Sequence, residues 1–418
     1  MKLSASKTIK ISLAFAWISI FNSMFDTALP IILVAPLSEG GLALNHTMKG
    51  LVMALDNILG LFILPLFGLL SDRSKSKFGK RTPFIIVGGI LAAISWLGAG
   101  IVLSLGENLA FLILLGLGLT FISISRPAAL SLLPDLTALP LRRKANAITQ
   151  IISAVATLFA IVVVSLLLVH GFDLVFYAAA VIMLVLIIIF LFTVHERRWA
   201  KEVPPDTEED QKIFSDYHYN KNYLVRNRLS LYGAVFFFYV AFNGLISSLP
   251  NYATEVLGLD KSSFTIPQLL CIVAACLMAL PISKLQFKIK RKNMLIIGFV
   301  VMLTAFVTVY FQQELNTIMI IAFILAGAGY STAIVNLYPY ILELSNPDTI
   351  GKNTGVFNTV TTVAMVLTPI FSGLLSDRFS LKAALFPYCM AALIVSIIFL
   401  LFIKDKKKVR IKDIVLDG

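Results

Sequence analysis

Twelve long apolar stretches dictate the surroundings in which this chain can fold. They run over 10–37, 46–70, 82–104, 109–134, 145–169 and 173–194 and then, after a polar interval, over 228–256, 262–285, 293–310, 316–343, 353–375 and 380–403. About 20 residues of helix cross a hydrocarbon core roughly 30 Å thick. Backbone groups cannot be left unpaired in that core, so each stretch is expected to be a helix. Composition agrees, with 58% of the 418 residues hydrophobic and only 14% charged. The mean hydropathy of +0.89 leaves more apolar surface than a water-soluble fold of this length can hide. The fold class predicted is an all-α membrane protein of twelve transmembrane helices. Lys2, Lys7 and Lys10 precede the first run, but that run is too long for a cleaved signal peptide and reads as the first span.

The formal charge of +12 is a topology signal. Lys and Arg gather in alternate loops: Arg73, Lys75, Lys77, Lys80 and Arg81; Arg142, Arg143 and Lys144; Lys288, Lys290, Arg291 and Lys292; Lys404, Lys406, Lys407, Lys408 and Arg410. The intervening loops are nearly free of them. Cations prefer the cytoplasmic side, which puts these loops and both termini in the cytoplasm of a cell that carries the chain in its plasma membrane. A nucleic-acid binder would instead carry one basic face on a soluble module, so no nucleic-acid partner is expected. Cys271, Cys276 and Cys389 all fall inside spans and read as small packing residues, not as a disulfide or metal set.

The longest polar interval, 195–227, contains Arg197, Arg198, Pro204, Pro205 and the acidic group Glu208, Glu209 and Asp210. Six spans lie on each side of it. The expected organisation is a bundle over 1–194, a cytoplasmic linker over 195–227, a second bundle over 228–403 and a basic tail over 404–418. Secondary transporters built from repeats place their substrate site between the halves, near mid-membrane.

One phrase occurs twice: Gly68-Leu69-Leu70-Ser71-Asp72-Arg73 closes the second span, and Gly373-Leu374-Leu375-Ser376-Asp377-Arg378 closes the eleventh. The first copy leads into Phe78-Gly79-Lys80-Arg81-Thr82-Pro83-Phe84. There Asp72 can pair with Arg73, Lys80 or Arg81, or cap a neighbouring helix. Gly68 and Gly79 permit close approach and a tight turn. This run resembles the loop signature between spans two and three of the major facilitator superfamily. Its closing portion is similar to the plant sucrose transporters and to the glycoside–pentoside–hexuronide cation symporters. Arg126 with Asp135-Leu136, Lys144-Ala145-Asn146 and Gly355-x-x-Asn358 support the sucrose-transporter side. The resemblance implies two six-helix bundles and a role for Gly68, Asp72, Arg73, Gly79, Lys80 and Arg81 as a latch between them. The glycoside symporters carry a pair of aspartates before the proline that here is Pro65. This chain has Gly60 and Leu64 there, which argues against a sodium site of that type.

An ionisable group deep in a span costs a few kcal/mol at least and marks a candidate functional site. Three stand out: Asp26 in span one, Asp56 in span two and Arg126 in span four. Counting about 1.5 Å per residue sets the two carboxylates at similar depth, with Arg126 nearer the midplane. Together they suggest a proton-coupling cluster, since burial and a nearby cation push a carboxyl group's proton affinity in opposite directions. Arg126 can also donate to sugar hydroxyls through its several N–H groups, and the resemblance places the sucrose transporters' span-four Arg at this position. A structural ion pair between spans is the competing reading.

Asn22, Asn57, Asn243, Gln268, Asn336, Tyr338 and Asn358 complete the candidate substrate set, because amides and aromatic faces suit sugars. Phosphate-binding loops and hydrolase motifs are absent from the sequence, so neither an enzyme nor a cofactor or metal requirement is expected. The leading expectation is a monomeric symporter that imports a disaccharide or glucoside with a proton by alternating access. Efflux of amphipathic compounds past Phe236, Phe237 and Phe238 is the alternative, and a non-transporting sensor ranks last.

Overall fold

The computed structural model describes residues 4–204, 221–285, 289–345 and 349–404. Lys2, Pro205, Glu208, Glu209, Asp210, Lys288, Lys406, Lys407, Lys408 and Arg410, named above, lie outside the described residues. The first half holds α1 (Ala5–Val34), α2 (His46–Arg73), α3 (Thr82–Ser104), α4 (Asn108–Asp135), α5 (Arg142–Leu167) and α6 (Phe172–Thr193). A short helix, Glu196–Ala200, follows. The second half holds α7 (Lys221–Asn251), α8 (Ile266–Leu285), α9 (Arg291–Phe311), α10 (Thr317–Glu343), α11 (Ile350–Phe379) and α12 (Leu381–Leu401). All twelve are long and apolar enough to cross a membrane.

Helix ends depart from the apolar runs where polar residues continue the backbone pattern. Helix α1 starts at Ala5, with Ser4 as its cap, and α7 starts at Lys221. A helix can extend past the hydrocarbon as long as its end groups find water or a cap. At α8 the reverse holds. A turn in which the Ser263 and Phe264 amides donate to the Asp260 carbonyl delays the helix to Ile266.

Each half builds its own apolar core. In the first, Trp96 meets Phe21 at 4.4 Å and Phe176 at 5.1 Å between ring centres. Gly118 lets α4 close on this cluster, since a Cβ there would come within 2.7 Å of Trp96. In the second, Phe238 stacks on Phe299 at 5.1 Å, and Phe306 meets Phe386 edge-on. Ala253 and Phe264, from the second half, pack into the first core.

The halves are joined at the end of the molecule opposite the chain termini, called here the far end. There the backbones of α2 and α11 approach each other closely. A Cβ on Gly50 would lie 2.1 Å from the Pro369 carbonyl oxygen, and one on Gly373 would lie 2.2 Å from that of His46. Asp377 accepts from the His46 amide (2.9 Å), the Thr47 amide (2.9 Å) and the Thr47 hydroxyl (2.5 Å). A carboxylate of α11 thus caps the N-terminus of α2, where free N–H groups and the helix dipole both favour an anion. Lys261 pairs with Glu39 at 2.9 Å, and Ser165 of α5 donates to the Ser262 carbonyl. Thr27 of α1 donates to Gln268 of α8.

Lys49 sits within this closure, 1% exposed. Its ammonium donates to Ser248 Oγ at 3.3 Å and Asn251 Oδ1 at 3.2 Å. Asn251 in turn donates to the Pro30 carbonyl, and His46 Nε2 lies 3.3 Å from Glu255. Toward the terminus end the halves diverge. Every bond between the halves named here lies at the far end, and a Cβ on Gly351 or Gly355 of α11 would meet nothing within 4 Å. The crevice between the bundles opens at the end that carries the termini.

The two copies of the repeated phrase therefore lie at opposite ends. Asp72 belongs to the terminus end, while Asp377 joins the bundles at the far end. Asp377→Ala removes a charged cap of about 1–2 kcal/mol, enough to raise the far-end-open population roughly tenfold. Spin labels at Leu37→Cys and Ser262→Cys should show a longer distance component in that variant than in the parent. Identical distance distributions would contradict this role for the carboxylate.

Candidate functional site

Arg126 projects from the middle of α4 toward α1 and α2. Its Nη2 donates to Asn22 Oδ1 at 2.7 Å and to Asp56 Oδ1 at 3.2 Å, and Nη1 reaches Asp56 Oδ2 at 3.4 Å. Both charged side chains are largely enclosed, at 18% exposure for Arg126 and 17% for Asp56. Arg126 Nε is buried with no hydrogen-bond partner among the described residues. Asp26, one turn beyond Asn22 on α1 and half-buried, lies within electrostatic range of Asp56 and Arg126. Three helices thus bring together Asn22, Asp26, Asp56 and Arg126. Asn57 is half-buried beside Asp56 and forms no hydrogen bond among the described residues.

Chemically the arrangement is an under-filled guanidinium. The contacts to Asp56 are longer than the 2.7–2.9 Å of a tight charge-assisted bond, and one N–H has no acceptor. Such a group can donate to a further hydroxyl or carboxylate by giving up its long contacts to Asp56.

The candidates in the second half occupy several environments. Asn243 is half-buried and donates to the Met365 carbonyl of α11 at 2.9 Å. Gln268 is buried in the far-end closure against Thr27. Asn336 is fully buried; it donates to the Thr332 carbonyl and accepts from Arg291, so its amide is engaged within its own bundle. Tyr338 is partly exposed, shares a hydrogen bond with Thr354 and packs on Phe357 at 5.3 Å. Asn358 is exposed, and its backbone carbonyl accepts from Thr361 and Thr362. The aromatic run offered as an efflux lining is consumed in packing: Phe238 is fully buried, and Phe237 stacks on Phe399 of α12.

The loop candidates form a second polar centre at the terminus end. Arg81 is almost fully enclosed and ties three elements. It donates to Asp135 at the end of α4 (2.9 Å), to Ser71 near the end of α2 (2.6 Å) and to Asp72. Lys80 lies 3.7 Å from Asp135. The Glu196 carboxylate caps α3, accepting from the backbone amides of Lys80, Arg81 and Thr82 and from the Thr82 hydroxyl, all at 2.8–3.1 Å. Gly79 has φ +120°, and a Cβ there would lie 2.3 Å from the Glu196 carboxyl, so glycine is needed on two counts. A Cβ on Gly68 would approach only Pro127, at 3.9 Å, and Arg73 is exposed. In this conformation every bond named for the loop lies within the first bundle; none of them bridges to the second.

Sequence reasoning missed Lys49 and Glu196, and gave Ser71 no role beyond its place in the repeated phrase. A lysine just after an Asn-His-Thr helix start, on the side where cations are scarce, was the available signal for Lys49. For Glu196 there was none beyond a carboxylate beside Arg197 and Arg198.

Comparison with known proteins follows the same lines. Two sucrose transport proteins match locally. SUT5 of Oryza sativa subsp. indica is 31% identical over 99 residues, 24% of this chain and 18% of that protein. SUC4 of Arabidopsis thaliana is 37% identical over 71 residues, 17% of this chain and 14% of that protein. The chain therefore aligns with less than a fifth of the length of these relatives. Among solved structures, a bacterial homolog of the human lysosomal transporter Spinster, in an inward-facing and occupied conformation, superposes with a TM-score of 0.73 at 16% identity, over 96% of this chain and 97% of that one. The nucleoside transporter NupG gives 0.71 at 14% identity, over 96% and 99%. A POT family transporter in complex with 5-aminolevulinic acid gives 0.75 at 12%, over 94% and 95%. These likenesses concern the fold. The sequence profile of the Major Facilitator Superfamily matches residues 12–311 and 231–415, and with twelve spans in two bundles around a one-sided crevice this chain belongs to the Major Facilitator Superfamily.

Proposed function

We propose that this carrier imports a sugar, of the disaccharide or glucoside class, together with a proton. The observation that carries the reading is the guanidinium of Arg126, shared between Asp56 and Asn22 and short of one acceptor, with Asp26 close by. A sugar hydroxyl that takes up Arg126 donors draws the cation away from Asp56. A proton can then replace the cation as the carboxylate's partner, which links cargo to ion. The local likeness to sucrose transport proteins supports the substrate class.

The alternation of Lys and Arg between loops supports a cytoplasmic terminus end in a plasma membrane, with the chain here open to the cytoplasm. The proposed boundaries are bundles over 1–194 and 228–403, joined by a linker over 195–227 whose start packs on the first core through Trp199. Asn243, Tyr338 and Asn358 supply the second-half face for the sugar, and Asn57 the first-half amide. The loop built on Gly68, Asp72, Arg73, Gly79, Lys80 and Arg81 acts as the cytoplasmic latch when the crevice closes there. Of the aromatic run named for the efflux alternative, Phe237 and Phe238 are engaged in packing and Phe236 is half-buried beside Phe237.

In proteoliposomes, acidifying the external face should drive accumulation from a panel of disaccharides and glucosides, and a protonophore should collapse it. Uptake indifferent to both would reject proton coupling, and absence of sugar counterflow across the panel would reject the substrate class. Arg126→Leu should abolish accumulation and, by stranding Asp56, destabilise the protein by about 3 kcal/mol. Arg126→Leu/Asp56→Leu should recover most of that stability in thermal unfolding yet remain inactive in transport. Accumulation restored in the double variant would reduce the cluster to a structural ion pair.

A further inference from the structure

A cavity of about 490 Å³ lies at the terminus end of the first bundle. Lys75, Lys80, Arg197 and Lys201 line it, with Ser74 and Ser76 beside them. Two carboxylates, Asp135 and Glu196, also reach its wall, but both are already engaged. Glu196 accepts from the backbone at the start of α3, and Asp135 accepts from Arg81 Nε at 2.9 Å, with Lys80 only at 3.7 Å. Lys75, Arg197 and Lys201 form no ion pair or hydrogen bond among the described residues. The cavity is therefore a concave site with surplus positive charge and donors that lack acceptors. Preference of cations for one face of the membrane accounts for basic loops. It does not account for cations from two separate loops converging on one hollow.

The surroundings indicate the ligand. The cavity sits where α2, α3, α4 and the segment after α6 leave the membrane. Val181, Val185, Ile188 and Phe192 of α6 are exposed, as are Val87, Leu91 and Ile94 of α3. Phe78, in the loop of the cavity, is exposed as well. A ligand with a phosphate for the hollow and alkyl chains for these faces satisfies both parts. We infer that this cavity binds the phosphate of an anionic phospholipid headgroup, held by Lys75, Arg197 and Lys201. The site would tie membrane composition to the segment that carries Glu196, and so to the capped start of α3. It does not depend on which cargo the crevice carries.

The test uses the full chain in nanodiscs of equal phosphatidylglycerol and phosphatidylcholine, followed by native mass spectrometry of the lipids retained. Each cation near an anionic surface is worth roughly fivefold in affinity. The parent should therefore retain phosphatidylglycerol about tenfold or more in excess of Lys75→Gln/Arg197→Gln/Lys201→Gln. Lys75→Arg/Lys201→Arg, which keeps the charge, should retain it like the parent. Equal retention by the parent and the Gln variant overturns the inference. A second arm titrates inorganic phosphate into lipid-free detergent and reads thermal stability. Stabilisation of the parent alone, together with equal phosphatidylglycerol retention, would make this a soluble-anion site and overturn the lipid assignment. Should the Gln variant unfold in phosphatidylcholine, the test passes to the parent, where phosphatidylglycerol retained no more than phosphatidylcholine overturns the inference.

Discussion

A guanidinium inside a membrane-spanning bundle needs acceptors, and Arg126 has fewer than it can use. Its two terminal nitrogens share one carboxylate and one amide oxygen, and Nε has none. In hydrocarbon such a group is tolerated only where protein or a wet crevice surrounds it. The geometry around α1, α2 and α4 follows from that requirement. Asn22 and Asp56 must face inward to supply the acceptors that Arg126 has. The proposed exchange of partners needs no further machinery, because the cation is held loosely enough to be shared.

Access to that centre is governed at the two ends by different chemistry. At the far end the closure is a helix cap supplied across the bundles by Asp377, backed by glycine contacts too close for any side chain and by the buried ammonium of Lys49. At the terminus end the polar groups are spent inside the first bundle, where Arg81 ties Ser71, Asp72 and Asp135 and Glu196 caps α3. One end is held by bonds between bundles and the other by bonds within one bundle. Opening the far end must therefore break the Asp377 cap and expose Lys49 to solvent, whereas closing the terminus end must bring new contacts to the Asp72–Arg81 loop.

The spans were legible because apolar length is a local property that the bilayer enforces. Asp26, Asp56 and Arg126 were legible for the complementary reason: a charge in an apolar run needs an explanation, and the structure brings all three near one another. Lys49 escaped because it stands at a span's edge, where a lysine ordinarily reaches water. Here it is buried against the second half, where Ser248 and Asn251 take its ammonium. Glu196 escaped because its partners lie more than a hundred residues earlier in the chain. Asn336 stood out as an amide in hydrocarbon, yet Thr332 and Arg291 satisfy it within the bundle. The opposite placement of the repeated phrase follows from span parity, since α2 and α11 run in opposite directions through the membrane, and no resemblance between the two copies reveals it.

The central claim is that cargo and proton meet at one cluster. Proton exchange on adding sugar to the purified carrier, in weakly buffered detergent solution, tests this most directly. The account predicts that a transported sugar changes the number of bound protons, and that the change is lost in Arg126→Leu and in Asp56→Asn. Saturable sugar binding with no proton exchange, or an exchange that survives both substitutions, would contradict it.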